Sequence, residues 1–214
     1  MPAGSYAVLI ADVMASRSRA GLRALLGAKL AAASKRQLRR ELIQLPYSVT
    51  AGDEFQTVIG NLRVVPEIIL DLRSSFRPLS LRIAIGFGRI PGRIQAPVNR
   101  LGGEAFQHAR KAMEELKNGS LFRFDTLTAF SSRDEQFDSA LNLLYGLQDT
   151  LVLKISEKQW ETIGSFLDQR TLQRAAKRLK LDVSTVSRNL KRGYFWQLVE
   201  TVKVSAALIE RKFG

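Results

Sequence analysis

The sequence predicts an α+β domain of the split βαβ, ferredoxin-like kind, followed by an all-α tail. Three observations carry this. Apolar runs of strand length alternate with stretches of helical periodicity from Tyr6 to Phe124. A Gly52-Asp53 turn joins two strand-like runs. Beyond Ser131-Ser132-Arg133 the pattern is helical to the end. The expected division is 1–132 for the first domain and 133–214 for a connecting helix plus the tail.

Taken in order, Tyr6 to Val13 is an apolar run interrupted only by Asp12, the pattern of a buried strand. From Arg17 to Glu41, Leu22, Leu25, Leu26 and Leu30 recur at helical spacing in a strongly basic stretch. Strands are expected over Ile43 to Thr50 and Glu54 to Ile59, either side of the turn. Val65, Ile68, Ile69 and Leu72 share one face of a helix over Val64 to Phe76. Leu81 to Gly88 has strand alternation, and Gly88 to Gly102 holds the glycines and prolines of a loop. Ala105, Ala109, Ala112, Met113 and Leu116 define a helix over Gly103 to Lys117. Leu121 to Phe124 is expected as the last short strand, and Asp134 to Leu153 as the connecting helix.

Composition narrows the function classes. At 45% hydrophobic, the 214 residues supply a sizeable core and do not resemble a disordered chain. There are 33 Lys and Arg against 20 Asp and Glu, a formal charge of +13. That surplus favours a polyanionic partner, nucleic acid before an acidic membrane surface. The absence of cysteine excludes disulfides and thiolate metal sites and fits a reducing compartment. A single histidine, His108, excludes a His-cluster metal site. The run Tyr6 to Ala11 is too short to span a bilayer and no basic region precedes it, so it is not read as a signal peptide. A cytoplasmic protein without membrane segments is expected.

The most informative stretch is Thr171 to Arg192. Leu172, Ala175, Ala176 and Leu179 form the apolar face of a first short helix, with Ala176 small where a second helix crosses. Leu181 and Val183 are expected to plug the turn into the core, and Ser184 to cap the second helix. Val186 and Leu190 bury that helix's inner face and leave Thr185, Ser187, Arg188 and Lys191 outside. A second helix presented this way enters the major groove of double-stranded DNA. Arg188 suits a guanine edge, and Thr185 a thymine methyl or a phosphate. Arg174, Lys177, Arg178 and Arg192 suit phosphates. The run resembles the helix-turn-helix segments of bacterial transcription regulators and sigma factors, above all at Ser184-Thr-Val-Ser-Arg188. Lys180 stands where those segments commonly carry glycine, so a left-handed residue there implies strain of about 1 kcal/mol. The alternative is an ordinary helical hairpin with a solvated basic face. Trp160, Phe166, Phe195 and Trp196 flank the run as expected core anchors.

In the first domain, Asp12 closes the first strand and Asp53 sits at the hairpin tip. If those strands pair, the two carboxylates meet at one sheet edge, where they repel unless a cation neutralises them. Oxygen ligands of this kind suit Mg²⁺, which brings phosphates with it. The start of the following helix, at Ser16 and Arg17, offers free N–H groups and a cation to a phosphate. Asp in turns is also ordinary, which leaves both carboxylates a purely local explanation. Glu54 is expected to be solvated or salt-bridged rather than a ligand.

Four ordered segments carry a resemblance. Ile10-Ala-Asp-Val-Met-Ala-Ser-Arg17, Gly52-Asp-Glu-Phe-Gln56, Leu81-Arg-Ile-Ala-Ile-Gly-Phe-Gly88 and Gly102-Gly-Glu-Ala-Phe-Gln-His-Ala-Arg110 resemble the SatD family. More distantly they are similar to class III nucleotidyl cyclases and GGDEF domains. The latter resemblance implies a nucleoside triphosphate held by divalent metals, with Asp12, Asp53 and the Val13 carbonyl as ligands. Those families place an Asn, and four residues on an Arg, on the helix matching Gly103 to Lys117. Here the positions read Gln107 and Lys111, with Arg110 one residue out of step. Lysine supplies charge but not a bidentate fork. Three functions follow: a DNA-binding regulator whose first domain senses a nucleotide or metal, a nucleotidyl cyclase or related phosphoryl-transfer enzyme, or an inactive cyclase-like scaffold with a DNA-binding tail. A homodimer suits the first, since paired helix-turn-helix units read two-fold sites.

Overall fold

The computed structural model describes residues 4–14 and 21–214. Ser16 and Arg17 lie outside them. The sheet contains β1 (Ser5–Val13), β2 (Ser48–Ala51), β3 (Glu54–Ile59), β4 (Leu81–Arg89) and β5 (Thr128–Ser131), in the order β2-β3-β1-β4-β5. The first four strands are antiparallel to their neighbours, and β5 runs parallel to β4. The helices of this part are α1 (Leu22–Arg39), α2 (Val65–Ser75) and α3 (Glu104–Asn118). The chain then continues through α4 (Glu135–Val152), α5 (Glu157–Gln169), α6 (Leu172–Leu179), α7 (Val183–Arg192) and α8 (Phe195–Phe213). None of these helices is long and apolar enough to cross a membrane, among the described residues.

The strand expected over Leu121 to Phe124 is absent; the fifth strand forms at Thr128–Ser131 instead. Phe122 and Phe124 stack on one another at 5.0 Å and press against Gly146 of α4. Their aromatic surface is used for packing on a helix, not for a strand ladder.

Central position explains why β1 shows no alternation: both of its faces are covered. Ala7, Leu9, Ala11 and Val13 enter one core with Leu26 and Leu30 of α1, Ile68, Ile69 and Leu72 of α2, Tyr145 of α4 and Ile209 of α8. Val8 and Ile10 enter a second core with Ala105, Ala109 and Ala112 of α3. On that side α3 lies almost on the backbone of β4. A Cβ placed on Gly86 would stand 2.1 Å from the Ala109 amide nitrogen and 2.2 Å from the Ala105 oxygen. Glycine in the strand and alanines on the helix are therefore one packing solution.

Three polar residues of α4 fasten it to the edge strand. Asn142 accepts from the Phe130 N–H at 2.7 Å and donates to the Phe130 carbonyl at 3.0 Å, replacing the next strand. Asp138 accepts from the Ser132 N–H at 2.7 Å. Asp149 accepts from the Leu127 N–H at 2.8 Å and pairs with Arg73 of α2 at 2.7 Å. The helix expected as a connector is thus fixed to the sheet. At the far end of the chain, Phe213 returns to stack 4.9 Å from Phe87. Between them α5, α6, α7 and the start of α8 form a third core around Trp160, Ile163, Ala175, Ala176, Val186, Leu190 and Phe195. Leu70 and Leu127 join it from the sheet domain.

Candidate functional site

The first site forms where β1, β3 and β4 present their even-numbered residues to the last turns of α3. Asp12 lies opposite Arg82 in the β1–β4 register, with 3.7 Å between Arg82 Nη1 and Asp12 Oδ2. Ala11 pairs with Phe55, so Glu54 stands one step further along at the same edge. Lys117 Nζ lies 3.4 Å from Asp12 Oδ2 and 3.2 Å from Glu54 Oε2. Arg110, two helical turns before Lys117 on α3, donates to Glu54 Oε1 at 2.8 Å. Thr50 donates to the same oxygen at 3.1 Å. Asp12 is only 7% exposed, and its Oδ1 is buried without a hydrogen-bond partner. Next to this cluster opens a cleft of about 580 Å³ lined by Arg82, Lys117, Arg123, Phe122 and Phe124.

The two buried carboxylates are shifted in opposite directions. Burial raises the Asp12 carboxyl above the usual carboxylate range, against the pull of Lys117 and Arg82, and the nearby Asp53 charge adds to the rise. Burial acts the same way on Glu54, but the bonds from Arg110, and then Lys117 and Thr50, outweigh it and hold Glu54 below the usual range. Among the described residues no group of three or more His, Cys, Asp or Glu surrounds one point, and the space between Asp12 and Glu54 holds the Lys117 ammonium. Val13 is buried and pairs with Leu81. Asp53 is half-buried at the hairpin, close enough to act on Asp12.

The tail residues meet differently. Thr171 caps α6, its hydroxyl accepting from the Arg174 N–H at 3.3 Å. Lys180 ends α6 in the left-handed region with φ 56°, as the turn requires. Leu181 and Val183, expected in the core, are exposed; Ala175, Ala176, Val186 and Leu190 fill it without them. Asp182 and not Ser184 occupies the cap position of α7, and Ser184 is exposed within its first turn. Trp196 is 56% exposed and is no core anchor, whereas Trp160 and Phe195 are buried. Asn189 donates to Thr162 of α5 at 3.2 Å, fixing the rotation of α7. Arg174, Lys177, Ser187, Arg188, Lys191 and Arg192 are exposed, and Thr185 is half-buried, accepting from Arg188 at 3.3 Å. Arg178 pairs with Asp168 at 2.7 Å.

A family model described as the SatD family matches residues 6–209. The chain belongs to the SatD family. No curated protein matches it. Among solved structures, a bacterial light-regulated adenylyl cyclase is 14% identical over 59% of this chain and 75% of that chain, with a TM-score of 0.39. Another such cyclase is 12% identical over 59% of this chain and 43% of that one, with a TM-score of 0.40. A regulator of polyketide synthase expression from Bifidobacterium adolescentis is 16% identical over 99% of this chain and 87% of that one, with a TM-score of 0.31.

In this SatD chain the α3 residues divide by face. Arg110 reaches Glu54, while Gln107 is exposed and Lys111 acts on Glu115 instead. Lys117 was missed by sequence reasoning, although seven residues, two helical turns, separate it from Arg110. His108 lies 2.6 Å from the Phe87 carbonyl through Nδ1, and Glu104 accepts from the Arg89 N–H at 3.1 Å. Both therefore serve the packing of α3 on β4.

Proposed function

We propose that this chain is a DNA-binding regulator that grips duplex DNA with α6 and α7, used as a helix-turn-helix. The reading rests on one observation: two short helices joined through a left-handed Lys180 bury Val186 and Leu190 and turn a basic, polar face outward. Arg188 is the residue for a guanine edge, with Thr185 and Ser187 beside it. Arg174, Lys177, Lys191 and Arg192 take phosphates, and Ser184 supplies a hydroxyl near the start of α7. Arg178, paired with Asp168, belongs to the support of α6.

Selection of bound sequences from a random duplex pool by the full chain tests this. Arg188→Ala is expected to erase the preference at one or two base positions, each worth about 1–3 kcal/mol. Arg174→Ala is expected to weaken all sequences alike and lower the salt slope by about one. Unchanged enrichment by Arg188→Ala would overturn the assignment. A symmetrical selected site with a dimer in sedimentation would match paired recognition helices.

A second reading is favoured by the unpartnered Asp12 Oδ1 and by a basic, aromatic-lined cleft that shares Arg82 and Lys117 with its cluster. In that reading the sheet domain holds a nucleoside triphosphate, its phosphates at Arg82, Lys117 and Arg123. Titration with each triphosphate, with and without Mg²⁺, separates binding from turnover. Binding lost in Lys117→Met without product in the parent chain would make the site a sensor.

A further inference from the structure

A different cleft, about 500 Å³ in volume, lies in the seam between the sheet domain and the tail. Ser75 and Arg77 contribute from the end of α2, Trp160 and Ser165 from α5, and Arg178 from α6. Six buried side-chain atoms have no hydrogen-bond partner among the described residues, and four of them belong to residues lining this one cleft: Ser75 Oγ, Arg77 Nε, Trp160 Nε1 and Ser165 Oγ. Trp160 is 1% exposed and Ser165 5%. A buried polar group without a partner costs about 1–3 kcal/mol, so four such groups on residues lining one cleft call for a partner there.

The chemistry of the four atoms defines what would satisfy them. Indole Nε1 and guanidinium Nε only donate, and both hydroxyls are able to. Arg77 is the cation among these four and stacks over the Trp160 ring at 4.7 Å; elsewhere in the lining Arg36 pairs with Asp71 and Arg178 with Asp168. Burial, with Arg73 nearby, disfavours the Arg77 charge, and Glu157 at 3.3 Å is its carboxylate partner at the rim. Lys29 holds this corner in shape by donating to the Ser75 and Arg77 carbonyls at 2.8 and 2.7 Å. The two nitrogens require an acceptor and both hydroxyls can donate to one, so an oxyanion, the strongest acceptor, answers all four.

We propose that this seam is a binding site for a small oxyanion, a phosphate or carboxylate group, held by Arg77, Trp160, Ser75 and Ser165. Because α2 and α5 both supply donors and Arg178 of α6 lines the same cleft, the bound anion ties the tail to the sheet domain. That regulatory consequence rests on the proposed DNA-binding role of the tail; the binding itself does not.

Trp160 reports on the site directly, and Trp196→Phe removes the other tryptophan. Its fluorescence is followed in the full Trp196→Phe chain during titration with inorganic phosphate, and separately with succinate, at constant ionic strength against chloride. A saturable change with either anion is expected, the stronger one naming phosphate or carboxylate as the source. Adding Arg77→Gln should weaken it at least tenfold. Adding Ser165→Ala should weaken it several-fold while the apo protein melts at the same temperature or higher, because an unmet hydroxyl is gone. That second variant keeps the test sound if Arg77→Gln fails to fold. No saturable response to either anion, or responses unchanged by Ser165→Ala, would overturn the proposal. DNA binding is measured on the same samples, so either idea can fail without the other.

Discussion

Two clusters in this fold pair buried carboxylates with cations, and they are built to different standards. At Asp149 both oxygens are met, although Arg73 Nε has no partner: Arg73 and Thr128 engage one oxygen and the Leu127 N–H the other, with no solvent at the carboxylate. At Asp12 one oxygen shares Lys117 and Arg82 at 3.4 and 3.7 Å, the other has no partner, and a cleft opens beside it. Once charges are buried, full pairing serves the fold. An unfinished shell at the end of a strand, beside basic side chains and aromatic rings, is the feature on which the proposed nucleotide reading rests.

The sharpest way to break this contrast is to truncate one carboxylate in each cluster. Asp149→Ala leaves the Arg73 guanidinium buried and unpaired, and should cost about 3–5 kcal/mol in urea unfolding. Gly86→Ala, on the same sheet but with no charge involved, should cost about 3 kcal/mol because the helix backbone cannot yield. Glu54→Gln loses the Arg110 and Lys117 bonds and should cost roughly 1.5 kcal/mol near neutral pH. Asp12→Asn should change stability by less than about 1 kcal/mol, in the stabilising direction.

The two carboxylates of the open cluster should also answer pH with opposite signs. Asp12 has a raised carboxyl, so its contribution favours the fold when protonated and is lost as pH rises through its folded value. Glu54 has a lowered carboxyl, so its contribution is present above 4.5 and is lost as pH falls through its folded value. Unfolding measured from about pH 3 to about pH 7 should show the Asp12→Asn advantage growing with pH. The Glu54→Gln penalty should shrink as the solution is acidified. Parallel curves for the two variants would dissolve the distinction between the clusters.

Much of the fold was legible because its signals are local. The β3 strand, α2 and α3 follow from turn residues and helical spacing. What was not legible depends on long-range partners. Phe122 and Phe124 have strand composition but are claimed by Gly146. Leu181, Val183 and Trp196 are apolar, yet the small third core is complete without them. At the site, Asp12 was visible as a charge interrupting an apolar strand. Lys117 was not, because its role exists only once α3 lies across β1 and β3.

The proposed role requires that the exposed face of α6 and α7 binds DNA, beyond what a net charge of +13 alone would do. Fluorescence anisotropy on a duplex, across a salt series, compares two variants of equal charge. One replaces Arg174, Arg188 and Lys191 with glutamine, and the other replaces the exposed Arg23, Lys35 and Arg39 of α1. The first is expected to lose affinity by about a hundredfold or more and to flatten the salt slope by about three, while the second stays near the parent chain. Equal losses in both, or a greater loss from α1, would contradict it.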